Sequence, residues 1–216
     1  MHSLIYLASQ SPRRQELLKQ IGVKFQLLLA DSNEDAESLE TQLPNEPALV
    51  YVKRVTLAKL AAAKQRLHAR GLDSAPILCA DTTVALMLEG GKEVILGKPT
   101  DHKDAKRILQ LLSGKTHQVH TAVAVLGTPH MNDAQPKLLV SSSQVTFKSL
   151  SDAEIDAYIS TNEPMGKAGA YGIQGIGGCL ISTISGSYSG IMGLPLYETS
   201  QLMHETGVQF SLRPKN

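Results

Sequence analysis

A chain of 216 residues and 23.2 kDa holds one domain with a sizeable core, or two small lobes sharing a cleft, and excludes two large independent domains. With 42% hydrophobic residues, 19% charged residues and a formal net charge of +1, it is neither a disordered acidic chain nor a strongly basic nucleic-acid arm. Three Phe, six Tyr and no Trp leave few stacking platforms for single strands, so any charge-based function must be local.

Residues 4–8 read as an apolar strand, Ser9-Gln10-Ser11 as a turn, and Pro12 as the first position of a helix ending near Gly22. Ser11 is the expected N-cap, Pro12 loses no hydrogen bond at that position, and Gly22 suits the left-handed residue after the helix. The short apolar run precedes the arginines, the reverse of a signal peptide's order, which points to a cytoplasmic protein. Residues 31–46 carry six acids and no Lys or Arg, and residues 51–70 carry six Lys or Arg and no acid. An acidic loop therefore leads into a basic amphipathic helix with Leu49, Val52, Thr56, Leu60, Ala63 and Leu67 on its apolar face.

Residues 76–80 form an apolar strand that delivers Asp81-Thr82-Thr83 at its far end, and residues 84–88 continue toward a Glu89-Gly90-Gly91-Lys92 hairpin turn. A helix follows over 101–112, ended by Ser113-Gly114. Strands over 119–126 and 138–147 flank a polar loop with Pro129 and Pro136, and Ser151 with Glu154 makes a capping box for a helix to Ile159. Residues 168–197 carry no charge, but eight glycines, four serines and Pro195 make them loops and strands rather than a membrane span. A last helix runs over 196–205. Cys79 and Cys179 lack ligand spacing and read as reduced core thiols. The mixture is α/β around one mixed sheet.

Candidate chemistry starts at residues 9–14. Arg13 and Arg14 in a first helical turn oppose the helix's positive end, each by about 0.3–1 kcal/mol, unless an anion offsets them. Ser9, Ser11, free N–H groups and two guanidinium forks together form what a phosphate chain requires. Their alternative is exposure to solvent or pairing with nearby acids. Asp81 at a strand end is either a site carboxylate or a turn cap bonded to Thr83. Glu34 alone reads as part of a solvated charge run, although with Asp81 it supplies hard oxygens for Mg²⁺ or Mn²⁺. Lys59, Lys98 and Lys167 are lone lysines, the last two held beside Gly or Pro. Gln174 offers an amide able to read a base edge, against its default as a hairpin residue.

Other patterns fail. Gly114-Lys115-Thr116 lacks the earlier glycine of a P-loop, since Leu109 stands there, and Leu180 breaks the dinucleotide fingerprint after Gly175-Ile176-Gly177. His117 and His120 have no companion at zinc spacing. No GxSxG elbow is present, so no covalent nucleophile is evident.

In order along the chain, LASQSPRRQELL (7–18), Glu34, YVKRVTLAK (51–59), ADTTV (80–84), LGKPTD (96–101), LSGKTHQVHTAVAV (112–125), KAGAYGIQG (167–175) and GSYSGIMGLPL (186–196) resemble the Maf family of nucleoside triphosphate pyrophosphatases. The likeness spans residues 4–207, and the YGIQG form resembles the branch acting on dTTP and UTP rather than on 7-methyl-GTP. It implies one domain over 1–216, with a mixed sheet, flanking helices and two lobes around a deep cleft, akin to the inosine triphosphate pyrophosphatases. It implies a cytoplasmic hydrolase, dependent on Mg²⁺ or Mn²⁺, that releases a nucleoside monophosphate and pyrophosphate. The expected partner is a nucleoside triphosphate, with no nucleic acid or membrane, and a homodimer is left open.

By the same resemblance Asp81 matches a proton acceptor, Arg13, Thr82 and Gln174 match positions that shape substrate choice, and Glu34, Lys59, Lys98 and Lys167 match polar cleft positions. Glu34 and Asp81 are the expected metal ligands, and Ser9, Ser11, Arg13 and Arg14 the expected triphosphate cradle. Gly166 stands where relatives often carry Asp, which weakens or alters metal binding if that acid is a ligand. The alternative from another class is a nucleotide-binding regulator of septum formation without significant turnover.

Overall fold

The computed structural model describes residues 2–31, 34–35, 38–128 and 135–212. Their strands are β1 (Ile5–Leu7), β2 (Phe25–Leu27), β3 (Ile77–Met87), β4 (Glu93–Leu96), β5 (Thr116–Leu126), β6 (Lys137–Phe147) and β7 (Ile181–Ser185). The helices are α1 (Pro12–Gln20), α2 (Ala48–Ala69), α3 (His102–Leu112), α4 (Asp152–Ser160), α5 (Tyr188–Met192) and α6 (Leu196–Glu205). One mixed sheet runs β2-β1-β3-β5-β6-β7, with β4 paired to β3 off that path. The β2, β1 and β3 pairings are parallel, and the others are antiparallel.

The register of β3 creates the site. On one edge β3 pairs with β5 from Ile77 through Ala85. On the other edge it pairs with β1 only at Ile77 and Leu78, and with β4 from Val84 to Met87. Residues 79–83 therefore have no strand partner on that edge among the described residues. Backbone left open inside a sheet must meet water, a side chain or a ligand.

Period-two alternation sends Leu78 and Ala80 into a cluster with Leu17, Leu18, Leu202 and Met203, and Ile77 and Cys79 into one with Leu60, Ala63 and Leu67. Val84 and Leu86, further along the strand, join a third cluster with Ile108, Leu109, Phe147, Ile155 and Tyr158. Each fully buried Leu or Ile in these clusters stabilises by about 1.5–3 kcal/mol relative to exposure. The first two clusters thus pack along the start of β3 and the third along its far half, past the gap at residues 79–83.

Helix ends follow their residue chemistry. Asp101 caps α3 by accepting from Asp104 N at 2.7 Å, and the Ser151–Glu154 capping box is present in full. Gly22 ends α1 at φ +72, where a side chain is strained. Glu89-Gly90-Gly91-Lys92 turns β3 into β4 with both glycines at positive φ. Pro136 lies just before β6, whereas Pro129 lies outside the described residues.

Several expectations are corrected. β3 does not stop at Ala80, because β-branched Thr82, Thr83 and Val84 continue it and β5 supplies a ladder through Ala85. Asp81 is consequently inside a strand, not at its end, and the turn-cap alternative fails. Ser11 occupies the N-cap of α1 but its side chain makes no cap bond. Leu49 is 39% exposed, outside the buried face of α2. Cys79 is buried, but Cys179 is exposed. The uncharged stretch contains the short α5 and two 3-10 turns, Ala168–Ala170 and Ile176–Leu180, besides strand β7. Among the described residues no helix is long and apolar enough to cross a membrane.

Candidate functional site

A cavity of about 1090 Å³ opens at the gap in β3. Ser9, Ser11, Arg13, Arg14, Glu34, Lys59, Asp81, Thr82, Lys98, Lys167 and Gln174 all line it. They come from the β1–α1 loop, the first turn of α1, the acidic loop, α2, β3, the segment after β4 and the turns after α4. Asp81 and Thr82 point to opposite sheet faces, and both reach one cavity because the strand edge between them is open.

On the α1 side, the two arginines turn toward the end of α5. Arg13 Nε donates to the Met192 carbonyl at 3.2 Å, and Arg14 Nε to the Gly193 carbonyl at 2.8 Å. The last carbonyls of a helix lack intrahelical donors, so these guanidiniums satisfy orphan acceptors. Gly193 at φ +118 ends α5 and lets the backbone lie against Arg14 and Thr82. A second Arg14 nitrogen donates to Ser9 Oγ at 3.0 Å, and the third lies 3.5 Å from Thr82 Oγ1. The Thr121 hydroxyl lies 3.0 Å from Thr82 Oγ1 and 2.7 Å from the Gly190 carbonyl, fixing Thr82 in place.

Three cations here are held below their ordinary pKa. Burial lowers Arg13 most, against the charges of Glu16 and Glu163. Burial also lowers Arg14, with Arg13 adding repulsion and Asp81 opposing it. Lys167 is lowered by burial and then by Arg13, while its ammonium donates to the Glu163 carbonyl. Desolvated, mutually repelling cations are stabilised by an anion placed among them.

Across the cavity, Lys59 Nζ lies 2.6 Å from Asp81 Oδ1 and 2.7 Å from Glu40 Oε1, and Lys98 Nζ lies 2.8 Å from Glu40 Oε2. Asp81 is 8% exposed, so the ion pair with Lys59 offsets the cost of placing a carboxylate there. Glu34 is engaged elsewhere. Arg66 grips it bidentately at 2.8 and 2.6 Å while donating to the Leu28 carbonyl at 2.8 Å. Thus the acid that the structure links to Asp81 through a lysine is Glu40.

Hydrogen bonds from Arg66 hold the Glu34 carboxyl down at about 2, from an ordinary 4.5. A carboxylate depressed in the folded state stabilises fully above its unfolded value, and that contribution is lost as pH falls toward the folded one. Glu34→Gln is expected to lower the urea midpoint at neutral pH, with the gap from wild type closing between about pH 4.5 and about pH 2. Midpoints measured across that range test this, and a gap independent of pH would refute the assignment.

On the remaining wall, Gln174 is exposed to the cavity from the turn Gly172-Ile173-Gln174-Gly175, closed by Gly175 N donating to Gly172 O at 3.2 Å. Gly166 also lines the cavity, at φ +72, with nothing within 4 Å of where a Cβ would stand. Beneath this wall His117 packs edge-on to Phe147 and Tyr171, and its Nε2 lies 2.9 Å from the Tyr171 hydroxyl. Burial lowers its pKa to about 4, which keeps the imidazole neutral.

The carboxylates lining the cavity are Asp31, Glu34, Asp35, Glu40 and Asp81. No three His, Cys, Asp or Glu side chains gather into a metal cage among the described residues. A set of hard oxygens with few protein ligands fits Mg²⁺ or Mn²⁺, which take one or two carboxylates together with phosphate oxygens and water.

Sequence reasoning missed Glu40, Arg66 and Glu163. Arg66 left a trace, an arginine bordering the Leu60, Ala63 and Leu67 stripe of α2, where a buried cation needs a partner. Glu40 left none, because Lys59 and Lys98 lie far along the chain, and Glu163 left none, because its carboxylate meets Ile176 and Gly177 only once the intervening turns fold back on it.

The profile of Maf-like proteins matches residues 4–206. A protein of Albidiferax ferrireducens named dTTP/UTP pyrophosphatase is 55% identical over 207 residues, covering 96% of this chain and 98% of its own. One of the same name from Cupriavidus pinatubonensis is 52% identical over 210 residues, covering 97% and 100%. Among solved structures, a HAM1 protein from Coxiella burnetii is 14% identical and covers 94% of this chain and 98% of its own. Its TM-score is 0.49. A profile spanning nearly the whole chain, together with relatives above 50% identity over matching lengths, establishes that this chain belongs to the Maf family.

Proposed function

We propose that this protein hydrolyses dTTP and UTP to the monophosphate and pyrophosphate. The observation that carries the reading is the concentration of Arg13, Arg14 and Lys167, each destabilised as a cation, opposite the Lys59–Asp81 pair across one cavity. The relatives named dTTP/UTP pyrophosphatase supply the substrate class.

In this reading Ser9, Ser11, Arg13 and Arg14 take the triphosphate, and Lys59, Lys98 and Lys167 add charge around its outer groups. Guanidinium forks and ammoniums match phosphate oxygens, and such transfers depend mostly on positioning and charge neutralisation. The triphosphate competes with Glu40 for Lys59 and Lys98. Asp81 orients the water that attacks the α phosphorus and accepts its proton, while pyrophosphate leaves among the cations. Thr82 and Gln174 bond the base, and purines are excluded by size. One methyl is worth only about 1–3 kcal/mol in discrimination, so uracil and thymine share the pocket.

Glu34 or Glu40 beside the same cavity, and Asp81 through a water molecule so that its carboxylate stays free to accept the proton, would hold Mg²⁺ or Mn²⁺. When bound, the ion supplies charge neutralisation on the phosphates and lowers the pKa of water.

Purified protein with Mg²⁺ or Mn²⁺ is expected to release pyrophosphate from dTTP and UTP, and little from purine nucleotides, in separate pyrophosphate and orthophosphate assays. Orthophosphate alone from every nucleotide refutes the reading. Binding of these nucleotides without turnover favours the regulator instead.

A further inference from the structure

Glu163 lies between α4 and Lys167, outside every motif that carries the family likeness, yet it makes the densest set of bonds around the Gln174 turn. Its Oε1 accepts from Gly177 N at 2.9 Å and from the Tyr158 hydroxyl at 2.8 Å, and its Oε2 accepts from Ile176 N at 2.9 Å. The same Tyr158 oxygen accepts from Gly172 N at 3.1 Å. Gly172 begins the turn that presents Gln174, and Ile176 and Gly177 follow it. The Tyr158–Glu163 pair therefore holds both ends of the segment. The backbone carbonyl of Glu163 meanwhile receives the Lys167 ammonium.

The glycines make this approach feasible. A Cβ on Gly175 would collide with the Glu163 carboxylate, and one on Gly177 would come within 2.6 Å of the Tyr158 oxygen. A carboxylate suits the position because all three groups facing it are donors, and an ionised carboxyl only accepts. Burial pushes the Glu163 carboxyl up, but the Gly177 and Ile176 N–H groups and the Tyr158 hydroxyl outweigh this and leave it below its ordinary value.

An amide has one donor face and one acceptor face, so it separates a keto from an amino base edge only when its placement is fixed. We infer that Glu163 is a positioning residue that sets the preference for UTP over CTP by fixing the turn that carries Gln174, an inference that rests on the pyrophosphatase reading above. Glu163 touches no substrate and acts through the Gly172–Gly177 backbone.

Glu163→Gln keeps the shape but must turn an NH₂ group toward a backbone N–H. The UTP-to-CTP ratio of kcat/KM is expected to fall about tenfold, toward the value of Gln174→Ala, with inhibition by pyrophosphate unchanged. Adding Glu163→Gln to Gln174→Ala should lower the ratio no further, since both act through one contact. Tyr158→Phe, which loses only the hydroxyl, guards against a Glu163 variant that fails to fold and should lower the ratio in the same direction. The inference is overturned if the folded variants keep the wild-type ratio, or lose kcat/KM equally for UTP and CTP. A wild type that releases no pyrophosphate sinks the pyrophosphatase reading alone. The ratio of UTP to CTP affinities by calorimetry, on wild type and variants, then tests Glu163 by itself.

Discussion

Asp81→Asn is expected to lower kcat for dTTP and UTP by about 10²–10⁴-fold, the range for removing a general base. The substitution keeps the shape of a residue that is 8% exposed and leaves the β3–β5 ladder, which runs from Ile77 through Ala85, untouched. Lys59 loses one of its two carboxylates but keeps Glu40 at 2.7 Å. The fold should therefore survive, with a small loss in urea midpoint. A pure binding defect would raise KM and spare kcat, whereas loss of proton acceptance lowers kcat. Steady-state kinetics beside an unfolding curve separates these outcomes, and unchanged turnover removes Asp81 from the chemistry.

Arg14→Ala should have the next largest effect, on affinity and stability together. One side chain donates to the Gly193 carbonyl and Ser9 Oγ and approaches Thr82 Oγ1, so it ties the β1–α1 loop to β3 and to the end of α5. Its removal leaves those acceptors without their donor, at about 1–3 kcal/mol for each one that water cannot reach. It also removes the guanidinium that the triphosphate would meet. The expected result is a rise in KM of about 100-fold with a lower urea midpoint. Arg14→Lys should restore little of either, because an ammonium cannot span the same acceptors as a planar fork. Wild-type KM in a folded Arg14→Ala protein would remove Arg14 from substrate binding.

Sequence by itself determined the local elements, because their causes lie within a few residues. Pro12 and Gly22 bound the first helix, Gly90 and Gly91 make the hairpin, and Ser151 with Glu154 opens α4. Arg13 and Arg14 at a helix start and Asp81 after an apolar strand are local signals of the cavity, whereas Glu34, Lys59, Lys98, Lys167 and Gln174, which also line it, are named only through the family resemblance. Sequence by itself misread Asp81 as a strand terminus, because whether a strand continues through Thr82, Thr83 and Val84 depends on the ladder that β5 offers from about 40 positions away.

Tertiary structure alone decided what each charge meets. The arginines of α1 look misplaced at a helix start until α5, some 180 residues on, presents its terminal carbonyls. Nothing near Glu34 announces Arg66, and nothing near Lys59 announces Glu40, because a charge can find its partner wherever packing brings one. The cavity itself is a register effect. β1 stops beside Leu78 and the antiparallel β4 ends beside Val84, and the stretch of β3 left open between them is where Asp81 and Thr82 come to share one space.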